Sequence, residues 1–181
     1  MGYRIATINN LPSVFNCYFF LVGEYRNHSV INNFFREDFN IIADSIGDQA
    51  AIVQKTDNSR IEDELQGALT SFISSNSDVA NYFKEIFMCY PGLLILSEHP
   101  QLITDKSMFL YIPFSVLDET YKNTNDLLFD LVSFAKSNNI DIVKKTSKRF
   151  SIIKGVSVAL NLGIFTVNFD ISNMKRNRKI R

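Results

Sequence analysis

The sequence predicts an α/β domain: a three-layer mixed sheet flanked by helices, with a β-hairpin appended at the C-terminus. Three observations predict it. Apolar residues make up 46% of the 181 residues against 21% charged, enough to build a core without disulfides or metal. Two runs, 14–22 (VFNCYFFLV) and 93–96 (LLIL), are apolar on both faces, as strands covered on both sides are. Between and after them, apolar residues recur at three- and four-residue spacing, the period of a helix that buries one face.

Taken in order, residues 3–8 alternate as a short strand, and Asn9, Asn10 and Pro12 turn the chain into the strand at 14–22, which Gly23 ends. Ile31, Phe34, Phe35, Phe39, Ile42 and Ile46 lie on one stripe and predict a single helix over 29–46, stopped by Gly47. A strand at 50–54 follows, then a helix over 58–75 carrying Ile61, Leu65, Leu69, Phe72 and Ile73. Ser77 or Asp78 caps a third helix through Phe87. Pro91-Gly92 introduces the strand at 93–96. Residues 108–114 form another strand, whose Pro113 belongs at its end or at a sheet edge. Asn123 or Thr124 caps a last helix at 125–138. Phe19, Phe20, Leu21, Leu94, Ile95, Leu110, Ile112, Leu128 and Leu131 are expected in one core.

The C-terminal segment has a different period. Val156, Val158, Leu160, Leu162 and Ile164 fall on even numbers, then Phe165, Val167, Phe169 and Ile171 on odd ones. Two alternating runs that change phase near Gly163 predict a hairpin, or one long strand with a bulge. We therefore divide the chain into an α/β domain at 1–150, an appended hairpin at 151–171 and a basic tail at 172–181.

Composition narrows the function. The 19 basic and 19 acidic side chains cancel, unlike the surface of a protein that grips nucleic acid over its whole area. Positive charge is concentrated in Lys144, Lys145, Lys148, Arg149 and the tail residues Lys175, Arg176, Arg178, Lys179 and Arg181, which could touch nucleic acid or an anionic surface. Two cysteines are too few for a secreted disulfide scaffold. Neither a signal-peptide pattern nor a run of 18 apolar residues occurs, so a cytoplasmic chain without a membrane span is expected.

From 14 to 138 the elements read strand, helix, strand, helix, helix, strand, strand, helix. That order, with Pro91 ahead of the strand GLLIL and a hairpin leading into the closing helix, resembles the thioredoxin-like fold. The resemblance covers about two-thirds of the chain and implies that Tyr90–Pro91 is a cis peptide. The sequence departs from the oxidoreductases of that fold where the first central strand meets its helix. There Gly23-Glu24-Tyr25-Arg26-Asn27-His28 holds no cysteine, and Cys17 lies mid-strand, where a buried thiol is inert. Dithiol exchange is not expected.

Other chemistries are equally poorly marked. Cys17, His28, Cys89 and His99 could be written as a zinc set, but no pair has the close spacing of such sites; two buried thiols and two exposed loop imidazoles are the better account. Cys89 with a histidine base is a conceivable nucleophile, though its Phe-Met and Tyr-Pro neighbours suit packing. No nucleophile elbow, phosphate loop or metalloprotease motif occurs. The carboxylates Glu37-Asp38 and Glu62-Asp63-Glu64 fall on predicted helices as solvated faces do. With Asp118-Glu119 and Asp141 they leave a metal-dependent hydrolase or nuclease as an alternative.

The most varied stretch is Glu24–His28, at a strand end of the kind that lines the ligand crevice in open α/β sheets. We expect Glu24, Arg26, His28, Tyr90 and His99 as ligand-binding residues, with a small anionic ligand as one possibility. Val156, Val158, Leu160, Phe165, Val167 and Phe169 are expected to form an interface to a protein partner or a second copy of the chain. No catalytic residue, metal ligand or cofactor is assigned. The chain reads as a non-enzymatic interaction module, a subunit of an intracellular assembly.

Overall fold

The computed structural model describes residues 1–23, 30–57, 59–73, 91–104, 107, 109–137, 139, 141–142 and 144–146. Five strands form one sheet: β1 (Gly2–Ile5), β2 (Cys17–Val22), β3 (Ala50–Lys55), β4 (Gly92–Leu96) and β5 (Phe109–Pro113). Their order across the sheet is β1-β3-β2-β4-β5. β3 runs parallel to both β1 and β2, β4 antiparallel to β2, and β5 antiparallel to β4. The sheet is therefore mixed, as expected. β2 and β4 are buried along their whole lengths because both lie inside the sheet and both of its faces are covered. Pro113 closes β5 at an edge, where its missing N–H costs no ladder bond.

One face of the sheet carries four helices: α1 (Val30–Glu37), α2 (Phe39–Ile46), α4 (Phe114–Thr120) and α5 (Thr124–Ser137). The other carries α3 (Ile61–Ile73) and the connection from β1 to β2. Successive strand residues point to opposite faces, so the expected single core is in fact two. Phe19, Leu21, Ile95, Ile112 and Leu131 pack on the four-helix side. Phe20 and Leu94 pack with Tyr18, Ile61, Leu65 and Leu69 on the α3 side.

Two helical expectations are corrected. The stripe over 29–46 is broken at Asp38, whose φ of −98° and ψ of 18° leave the helical region. The hydrogen bonds from Asp38 N to Phe34 O and from Ile42 N to Asp38 O survive, so the chain bends rather than unwinds. The bend lays Phe39 in the core with the Arg4 guanidinium 5.2 Å over its ring, bringing α2 against β1. The second correction is α4, which takes Phe114 out of the predicted strand and fills a stretch to which we assigned no element. Phe114, Leu117 and Tyr121 are buried at three- and four-residue intervals, a stripe too short to stand out beside the strand before it.

Asn123 is the cap of α5: its Oδ1 accepts from Asp126 N at 2.9 Å. After α5, residues 141–142 and 144–146 are helical, with Ile142 in the four-helix core. Among the described residues no helix is long and apolar enough to cross a membrane. The predicted helix through Phe87, the hairpin at 151–171 and the basic tail lie outside the described residues.

Candidate functional site

The sheet has two ends, and His99 and the described flanks of the other predicted site residues divide between them. β2 leaves the sheet at Val22, opposite Gly92, and enters it next to Leu96. Gly23 and Pro91 therefore share one end, and His99 occupies the other, about 17 Å away along the strand. Polar groups at 97–99 do not converge with those flanking 24–28.

At the first end, backbone meets backbone. Gly23 has a φ of +93°, and a Cβ there would lie 2.5 Å from Pro91 Cα, so only glycine fits both the turn and the contact. Gly92 makes the same allowance on β5: a Cβ would come within 2.7 Å of the Tyr111 ring and hydroxyl. Gly23 N donates to Glu62 Oε1 at 2.7 Å, and Lys55 Nζ reaches the same oxygen at 2.9 Å. Burial, with the Glu62 charge adding, pushes the Tyr111 phenol far above its usual value. The segment 24–29 leaves from Gly23 and rejoins at α1, whose first turn is satisfied by Asp118 of α4 (Ile31 N to Oδ1, 3.0 Å). Glu24, Arg26, His28, Tyr90 and the Tyr90–Pro91 peptide lie outside the described residues, as does Cys89. Their flanks, Gly23 and Pro91, touch.

At the opposite end an open cleft of about 510 Å³ lies between the entries to β2 and β3, the turn after β4 and the end of α5. Asn16, Gln49, Glu98, His99, Leu102 and Lys136 are among its walls. His99 is not the exposed loop imidazole we expected. It is 4% exposed and caps the 3-10 turn Pro100–Leu102, its Nδ1 accepting from Gln101 N at 3.3 Å. Its ring meets Tyr18 edge to face at 5.6 Å between centroids, and its Nε2 is buried without a hydrogen-bond partner. Burial pushes the imidazole below its ordinary value; the backbone at Leu11 and Ile8 pulls weakly the other way.

Glu62 and Glu64, read as solvated, are structural, and so is Asp130. Glu62 joins Gly23 to Lys55, and Glu64 accepts from the Thr7 hydroxyl at 2.8 Å and from Ile8 N at 2.7 Å, holding the turn after β1. Asp130, 3% exposed, takes the Tyr121 hydroxyl at 2.7 Å and Lys145 Nζ at 2.6 Å, clasping the helical residues around 145 to α5. Nothing local in the sequence marks these pairs, because their partners lie 7 to 57 positions apart. Asp118, the acid named for a hydrolase, is committed to the α1 terminus. Among the described residues no three His, Cys, Asp or Glu gather where a metal ion could sit. Cys17 is buried in the four-helix core, its thiol pushed up to about 12 by burial. No family model, no curated protein and no solved structure matches this chain.

Proposed function

We propose that the chain is a non-enzymatic protein-interaction module on a thioredoxin-like scaffold, working as a subunit of an intracellular assembly. The observation that carries the reading is a strand order of β1-β3-β2-β4-β5, four strands running one way and β4 alone reversed, joined to a β2 exit, Gly23–His28, that holds no cysteine. Pro91 directly ahead of β4 and against Gly23 supports the same scaffold. A scaffold of this kind with its thiol position empty, and with Cys17 buried as a poor nucleophile, retains its surfaces rather than its redox chemistry.

The interface falls to residues 151–171. Their period of two, with Gly155 and Gly163 and four valines or isoleucines within 152–158, favours strands whose apolar face needs a partner. Light scattering after size exclusion tests this. The full chain should elute above its monomer mass of 20.7 kDa, and a chain lacking 151–181 should fall to its own monomer mass with an unchanged circular-dichroism spectrum. A monomeric full chain that captures no partner sinks the reading. Retained association or outright unfolding of the truncated chain instead assigns 151–171 to the core.

A second reading, a sensor of a small anionic ligand, is favoured by Lys136. It lines the cleft with no ion-pair partner among the described residues. Thermal shifts with nucleotides and inorganic phosphate test it: stabilisation that Lys136→Gln removes supports it, and no shift with any of them rejects it.

A further inference from the structure

We propose that His99 is a proton-operated latch between the β1–β2 and β4–β5 connections: when its ring takes up a second proton, the 100–102 turn loses its cap and this end of the sheet loosens. The argument begins with the hydrogen. Nδ1 accepts from Gln101 N, so the neutral ring carries its one proton on Nε2. A second proton can go only to Nδ1, where it would point at the Gln101 N–H. Donor would face donor, and the capping bond would break.

Of the groups facing the ring, the backbone at Leu11 and Ile8 favours the charged form, but burial outweighs it and Nε2 makes no hydrogen bond where it lies. Tyr18, the phenol of β2 that packs on the ring, has its hydroxyl committed to Pro12 O at 2.9 Å and to Phe15 N at 3.2 Å. On α3, the Glu64 carboxylate is occupied by Thr7 and Ile8 N. Glu98, the neighbour in sequence, receives the Ser107 hydroxyl on Oε2. At the end of α5, Lys136 lines the same cleft and brings no negative charge to it. The turn before β2 offers Asn9 and Asn10, which do not ionise. Burial, which holds the neutral form in place, supports the same conclusion.

The break spreads because the turn is shared. Gln101, the residue His99 caps, donates its Nε2 to Asn9 Oδ1 on the turn after β1. Releasing Gln101 frees both connections and the adjacent Leu102, which stands at the cleft 56% exposed.

The chain has only two histidines, so the test is clean. A proton NMR titration of the full chain should give His99 a midpoint below that of an unstructured histidine, about 6.5. The amides of Asn9, Gln101 and Leu102 should shift with that same midpoint. Protection of the Gln101 amide against exchange should fall about fivefold, as loss of a cap implies. His99→Asn keeps a capping side chain that does not titrate, and should abolish the response; His28→Asn should leave it intact. A ring that titrates at or above the ordinary value while the Gln101 amide stays still overturns the proposal. So does a response that persists in His99→Asn or disappears in His28→Asn. Should His99→Asn fail to fold, co-titration of ring and amides in the unaltered chain decides.

Discussion

At the Gly23–Pro91 end of the sheet, close packing and polar satisfaction agree; at the His99 end they part. Gly23 gives up a side chain so that Pro91 can approach, and its N–H still finds Glu62, which Lys55 neutralises. His99 is buried with its ring edge to face on Tyr18, yet one of its nitrogens has no hydrogen-bond partner. An unsatisfied buried donor costs on the order of 1–3 kcal/mol, so the second end holds its shape with less to spare. Rigidity belongs where the varied segment 24–28 departs, and susceptibility belongs around the cleft.

The largest expected losses lie between the two ends and calibrate the comparison. Phe20→Ala on the α3 face should lose about 3–5 kcal/mol and Leu131→Ala on the four-helix face about 2–5 kcal/mol, measured by urea unfolding. Losses below half a kcal/mol at both, on the order of surface substitutions, would mean that neither face is a true core. Next comes Gly23→Ala, which adds a Cβ at positive φ against Pro91. It should cost about 1–3 kcal/mol from the backbone alone, and an unchanged midpoint would show that the first end is looser than its geometry.

Smaller effects test the clasps. Tyr121→Phe removes one of the two bonds to the buried Asp130 and should cost about 1–3 kcal/mol. Lys145→Met should cost less, about 1 kcal/mol, because Lys145 is half exposed and solvent screens the pair. A larger loss at Lys145 than at Tyr121 would reverse that ranking.

The pH dependence separates the ends by sign. A histidine held below its unfolded value binds fewer protons when folded than when unfolded. Its contribution is therefore complete above about pH 6.5 and is lost as the pH falls toward the folded value. The urea midpoint should drop more between pH 7.5 and 5.5 in the unaltered chain than in His99→Asn. Equal drops would leave the two ends alike. The least intrusive measurement is thiol labelling at pH 8. In a Cys89→Ser background, Cys17, whose thiol stands near 12, should react only as fast as the chain unfolds, and prompt labelling would contradict its burial.

The legible features were those with a local period. β2 and β4 stand out as runs apolar on both faces, and the stripes of α1, α2, α3 and α5 as recurrences that bury one side. Pro113 announced an edge because it lacks a donor, and Cys17 announced an inert thiol because it stands within a strongly apolar run. The bend at Asp38 was hidden, since both halves of the stripe stay in phase while the axis turns toward β1.

The amino-acid sequence by itself determined which residues leave water, because hydrophobic periodicity is a property of neighbours along the chain. Only the tertiary structure decided that 97–99 and the Gly23–Pro91 contact lie at opposite ends, since strand direction depends on how β4 pairs with β2. It also decided that Glu62, Glu64, Asp118 and Asp130 hold backbone and lysine rather than solvent. A carboxylate's partner is whatever folding brings within about 3 Å of it, and no spacing in the sequence encodes that distance.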